Sequence, residues 1–185
     1  MRIISGTLKG RNLKFDSNLP LRPSTEKVRE ALFSSLYSLL DIEGKNVLDL
    51  FAGSGAVGFE ALSRGAGFVT FVEKNAEISK CLKININLLN LRSQTEVLTS
   101  TVAKSLEKLN GEYDFIFIDP PYEQHPGLRI LDDLSKYKLL KANAIVVLES
   151  GKKFELSGDL KDFILLKEKI YGDTKLTFFK YQGRL

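Results

Sequence analysis

Asp49-Leu50-Phe51-Ala52-Gly53-Ser54-Gly55-Ala56-Val57-Gly58 is the stretch that decides the fold of this chain. Gly53, Gly55 and Gly58 carry the G-x-G-x-x-G spacing of a nucleotide-binding strand-turn-helix. A strand of buried type, Asn46–Phe51, leads in. A helix, Ala56–Arg64, leads out and stops at Gly65. The missing side chains at Gly53 and Gly55 let a ligand approach the backbone. Glu73 follows Gly53 by twenty residues, at the end of the next strand. A carboxylate there can accept both hydroxyls of an adenosine ribose. A bare β-α turn without a ligand explains the glycines alone but not the acid as well.

Outward from this stretch, strands and helices alternate. Phe68–Val72, Thr95–Leu98, Tyr113–Ile118 and Ala144–Leu148 read as further strands. Ala76–Leu91, Val102–Leu109 and Leu128–Leu134 read as helices at apolar 3.6-residue spacing. Phe115-Ile116-Phe117-Ile118 is continuously apolar, as in a central parallel strand covered on both faces. Ile164–Tyr171 and Lys175–Tyr181 read as an antiparallel pair around Gly172-Asp173. The expected fold is α/β and Rossmann-like, with a mostly parallel seven-stranded sheet ending in that pair. Before it, Arg2–Ser5 and Leu8–Phe15 read as a hairpin turning at Gly6-Thr7. A helix then starts near Ser24 or Thr25, with Val28, Leu32, Leu36, Leu39 and Leu40 at helical spacing. The expected division is a small basic extension over residues 1–22 and one compact unit over 23–185. Asn85 interrupts the apolar face of its helix and reads as a brace for a nearby loop.

Composition narrows the chemistry. The 185 residues are 43% hydrophobic and 27% charged, as in a globular protein. No apolar run reaches the roughly 18 residues of a membrane span, and the N-terminus turns polar too early for a secretory signal. One cysteine and one histidine leave no framework for disulfides, a Cys-cluster zinc site or a histidine-based triad. No metal is expected. Cys81 reads as core filler and His125 as a loop residue. Residues 1–29 hold seven basic against two acidic residues, a net +5. The rest of the chain carries twenty basic and twenty-one acidic groups, a net −1. This asymmetry points to a polyanionic partner gripped by Arg2, Lys9, Arg11, Arg22 and Arg29. The competing reading is a solvated basic face.

Two further features separate the ligand from a dinucleotide. Asp49 stands just before the loop, where a carboxylate suits a ligand bearing positive charge better than one bearing a pyrophosphate. S-adenosylmethionine (SAM) carries an ammonium and a sulfonium, and D-x-F-x-G-x-G looks like the first motif of class I SAM-dependent methyltransferases. Asp49, Phe51, Gly53, Gly55 and Glu73 are therefore the expected cofactor residues. The second feature is the turn Asp119-Pro120-Pro121-Tyr122 after strand four. Its prolines stiffen the turn and leave carbonyls as free acceptors. Asp119 adds a carboxylate and Tyr122 a stacking face. Together they suit an exocyclic amine on a planar base, so Asp119, Pro120 and Tyr122 are the expected catalytic residues. Thr99-Ser100-Thr101 offers no carboxylate for an adenine amine, and Lys74 reads as a surface lysine.

Arg2-Ile3-Ile4-Ser5-Gly6, Gly10-Arg11, Arg22-Pro23-Ser24-Thr25 and Val28-Arg29-Glu30-Ala31-Leu32-Phe33, with the two motifs above, resemble the RsmD family. These are bacterial 16S rRNA guanine-N2 methyltransferases acting at the guanine called position 966. The resemblance covers nearly the whole chain. It implies a cytoplasmic, monomeric SAM-dependent enzyme that releases S-adenosylhomocysteine (SAH) and acts on small-subunit particles. Rival readings are an adenine-N6 DNA methyltransferase, a protein-glutamine methyltransferase, a non-catalytic RNA-binding assembly factor and, more distantly, an NAD dehydrogenase. Asp49 and D-P-P-Y disfavour the last.

Overall fold

The computed structural model describes residues 1–14, 25–121, 127–156 and 158–183. Seven strands form one sheet: β1 (Asn46–Leu50), β2 (Phe68–Glu73), β3 (Thr95–Thr99), β4 (Tyr113–Ile118), β5 (Leu140–Gly151), β6 (Phe163–Tyr171) and β7 (Thr174–Tyr181). Among the described residues five α-helices accompany them: α1 (Glu26–Tyr37), α2 (Ala56–Ser63), α3 (Ala76–Leu88), α4 (Val102–Leu106) and α5 (Gly127–Lys136). The order is β3-β2-β1-β4-β5-β7-β6. Strands β1 to β5 pair in parallel, and β7 is antiparallel to both β5 and β6. The expected α/β architecture is the observed one.

Each face of the sheet buries its own core. One joins α1, α2 and α3 to Val47, Val69, Phe71, Phe115, Phe117, Ile145 and Val147. The other joins α4 and α5 to Leu48, Leu50, Val72, Ile116, Ile118, Val146 and Leu148. This strand alternation is what two buried faces require. The strand order reverses between β1 and β4. A crevice therefore opens at their carboxyl ends, where open α/β sheets bind ligands.

Two elements differ from expectation. β5 begins at Leu140, four residues early, because a register shift opposite Tyr113–Phe115 absorbs Asn143 in a left-handed conformation (φ 64°). Polar Lys141 and Asn143 conceal that start in the sequence. The N-terminal hairpin is looser than a two-residue turn. Antiparallel hydrogen bonds join Ile3 N to Arg11 O (3.0 Å), Gly10 N to Ile3 O (2.9 Å) and Leu13 N to Met1 O (2.9 Å). Between them, Thr7 N donates to Ser63 O (2.7 Å) and Leu8 N to Ser63 Oγ (2.9 Å). The end of α2 has drawn the turn off the ladder.

The first fourteen residues are bound into the body at both ends. Buried Glu60 of α2 accepts from Ile4 N (2.8 Å), Ser5 N (3.0 Å) and Arg64 Nε (2.8 Å). Asn85 of α3 accepts from Lys14 N and donates to Lys14 O, both at 2.8 Å. It braces the arm as a neighbouring strand would. Ile3 and Leu13 join the α1–α3 core, while Arg2, Lys9, Arg11 and Lys14 remain exposed.

Candidate active site

The glycine loop leaves β1 with Phe51 at φ 60°, followed by Gly53 at 52° and Gly55 at 72°. A left-handed non-glycine residue costs roughly 1–2 kcal/mol, and such strain collects at ligand sites. The loop is held by Ala52 N donating to Val72 O (2.9 Å) and Gly55 N to Ala52 O (2.7 Å). The glycines divide their work. A Cβ on Gly55 would stand 2.5 Å from Leu82 Cδ2 and 2.8 Å from Phe59 Cε2. Its bareness therefore serves packing as well as its positive φ, a role the spacing alone does not announce. A Cβ on Gly58 would meet Phe71 Cε1 at 2.3 Å, so Gly58 lets α2 lie close on β2.

Glu73, at the end of β2, is 8% exposed. Its Oε2 accepts the Gly53 N–H at 3.0 Å and its Oε1 the Asn75 N–H at 2.8 Å. Each oxygen has a second lone pair for a ligand hydroxyl. Asp49 lies under the loop, with Oδ2 accepting the Gly58 N–H at 3.0 Å. Burial pushes its carboxyl up to about 8, against the Gly58 hydrogen bond and helped by the Glu73 charge. Asp49 thus holds the loop from beneath through Gly58.

Asp119 and Pro120 are half-buried and Pro121 is exposed. The Asp119 N–H donates to Leu50 O at 3.4 Å, continuing the parallel ladder past β4. Leu50 pairs with both Val72 and Ile118. Phe51, Glu73 and Asp119 therefore follow at one level, across three adjacent strand ends. Tyr122 and His125 lie outside the described residues. At the end of β3, Ser100 N donates to Glu73 O (3.0 Å), and Thr101 caps α4. Lys74 is exposed.

The basic set separates into two kinds. Arg2 is exposed and pairs with Glu26 at 3.2 Å. Lys9 is exposed, and exposed Arg11 donates from Nη2 to Leu88 O at 3.2 Å, at the end of α3. The Met1 sulfur lies 3.8 Å from Ser54 Oγ, so the arm borders the glycine loop. Arg22 lies outside the described residues. Arg29 corrects the sequence reading: it is only 2% exposed and donates to Arg2 O at 3.0 Å. Burial lowers its pKa, while Glu60 and Glu26 oppose that shift. Helical spacing puts Arg29 on the buried stripe of α1 with Leu32, Phe33 and Leu36. It supports the arm from beneath and does not face a phosphate. Sequence reasoning also missed Glu60, whose one signal is a lone acid inside the apolar run Ala56–Leu62.

Comparison with known proteins agrees with this geometry. The Ribosomal RNA small subunit methyltransferase D of Buchnera aphidicola is 39% identical over 168 residues, covering 91% of this chain and 86% of that protein. The solved Escherichia coli structure yhhF superposes with a TM-score of 0.88 at 30% identity, covering 100% of this chain and 99% of that one. The structure of SMU.776, solved with SAH, shares the fold at a TM-score of 0.62 and 16% identity, covering 83% of this chain and 48% of that one. The family model described as Conserved hypothetical protein 95 matches residues 1–180. This chain therefore belongs to that family, the RsmD family.

Proposed function

We propose that this protein transfers a methyl group from SAM to the exocyclic N2 amine of a guanine in 16S rRNA. By family resemblance that guanine is position 966, in the small ribosomal subunit or its precursor. The observation that carries the reading is the single level shared by Phe51, Glu73 and Asp119 at the sheet's reversal point. The related Buchnera protein's name supports the rRNA substrate.

The donor set fits the cofactor. Glu73 presents a buried carboxylate with spare lone pairs for the ribose, and Phe51 to Gly55 form a strained loop beside it. Bound there, SAM supplies an electrophilic methyl group on a sulfonium that departs as a neutral thioether. Everything else falls to the chain. An aromatic amine is a weak nucleophile because its lone pair is delocalised into the ring. Asp119 and the Pro120 carbonyl accept its two N–H groups, favour a pyramidal nitrogen and aim its lone pair toward the glycine loop. Such positioning and electrostatics provide much of the rate. Asp119 is also placed to receive the departing proton. Tyr122 supplies the stacking face for the extruded base, worth about 1–3 kcal/mol. Arg2, Lys9, Arg11 and Arg22 contact phosphates and fix orientation without reading sequence.

The test is incubation with methyl-labelled SAM and unmodified small subunits, naked 16S rRNA or duplex DNA, followed by nucleoside mass spectrometry. Labelled N2-methylguanosine from the RNA-containing substrates is the expected product. Labelled N6-methyladenosine, or no label at all, contradicts the proposal.

A further inference from the structure

Next to Asp119, on the neighbouring strand, stands an acid with no part in the methyl transfer described above. Ile118 of β4 pairs with Leu148 of β5, so Asp119 is followed across the sheet by Glu149. Ile145 and Val147 belong to the core that also holds Phe115 and Phe117. Period-two alternation then puts Asp119 and Glu149 on that same face. Leu176, directly opposite Glu149 on β7, lies in that core too. Parallel strands are roughly 4.8 Å apart, so the two side chains leave neighbouring backbone positions one strand spacing apart. Glu149 is 6% exposed, at the carboxyl edge where the crevice lies.

We infer that Glu149 is a specificity-determining residue that accepts the N1–H of the target guanine. The inference rests on the proposed guanine-N2 reading and deepens it. Guanine presents two adjacent donors, the N2 amine and N1–H, with O6 beyond them. Asp119 and Pro120 take the amine, and an acceptor one strand further along meets the next donor. A carboxylate has about four lone-pair sites, so Glu149 accepts N1–H whatever its other partner. Adenine presents an unprotonated N1 at the corresponding place. Two acceptors would then face each other in a buried site, and the base is rejected. A site built to hydrogen-bond an N–H discriminates strongly against analogues that lack it.

The test uses small subunits reconstituted with either guanine or 2-aminopurine at the target position. 2-Aminopurine keeps the N2 amine but has no N1–H. The wild-type protein is expected to methylate guanine faster by ~10²–10⁴-fold. Glu149→Gln can turn its amide N–H toward a bare N1, so its preference should fall below about tenfold. Its SAM affinity by calorimetry should match wild type, which also reports correct folding. Glu149→Asp keeps the acceptor at shorter reach and should retain the preference at a lower rate. Equal wild-type rates on the two bases overturn the inference without any variant. So does a Glu149→Gln protein that binds SAM and keeps the full preference. If wild type forms no N2-methylguanosine on normal subunits, the guanine-N2 reading fails and this inference fails with it. N2-methylguanosine formed without discrimination defeats the inference alone.

Discussion

The Glu73 carboxylate holds the Gly53 N–H at 3.0 Å and so ties the end of β2 to the cofactor loop. A residue read as a ribose ligand is therefore also a structural clamp. Glu73→Ala removes the acceptor for both Gly53 and Asn75. Charge-assisted hydrogen bonds contribute about 1.5–3 kcal/mol each. SAM affinity should fall by at least ~10-fold in calorimetry. Unfolding stability should fall too, by about 1–3 kcal/mol for each N–H left unsatisfied. Wild-type SAM affinity in this variant removes the ribose role.

The basic arm gives the second prediction. Charge reversal at Arg2, Lys9 and Arg11 should weaken RNA binding and flatten its salt dependence, with a slope change near 1 for each phosphate no longer neutralised. SAM affinity should be spared. Arg29→Ala should act otherwise, because it takes the donor from the Arg2 carbonyl and removes one of two cations near buried Glu60, which keeps Arg64 at 2.8 Å. A cost of about 1–3 kcal/mol in denaturant unfolding is expected. An unchanged salt slope in the charge-reversal variant indicates a merely solvated face.

That contrast marks the limit of what is legible in the sequence. β1, β2 and β4 are plain because buried parallel strands are continuous apolar runs, and glycine spacing and Glu73 identify the ligand edge. The antiparallel pair is plain from its Gly172-Asp173 turn. Arg29 is misread because a guanidinium is assigned to solvent by type, although its helical phase with Leu32 and Phe33 says otherwise. The packing role of Gly55 is hidden because spacing cannot say what a Cβ would strike, and here it is Leu82 from a distant helix. Glu149 gives no signal at all. Its meaning depends on the β4–β5 register, and the shift at Asn143 makes that register uncountable from sequence.

Asp49 gives a pH signature. Its carboxyl is held near 8 in the folded chain, against 3.8 as the ordinary value. Between those values the native state binds a proton that the unfolded state has lost. The stabilising contribution is thus full below about pH 4 and declines as pH rises through 8, at up to ~1.4 kcal/mol per pH unit. Asp49→Asn mimics the protonated form and still accepts from Gly58. It should match wild type in acid and exceed it at pH 8. Denaturant unfolding at several pH values checks this, and parallel curves for the two proteins contradict it.

Asp119 carries the central claim, and single-turnover methyl transfer to unmodified small subunits tests it most directly. Asp119→Ala should bind SAM normally yet transfer the methyl group ~10²–10³-fold more slowly, the usual cost of one oriented hydrogen bond in a water-poor site. Asp119→Asn should lose less, since its amide oxygen still accepts an amine N–H. If Asp119 acts chiefly as a general base, Asn should instead be nearly as defective as Ala. Methyl transfer by Asp119→Ala at close to the wild-type rate contradicts the proposed site.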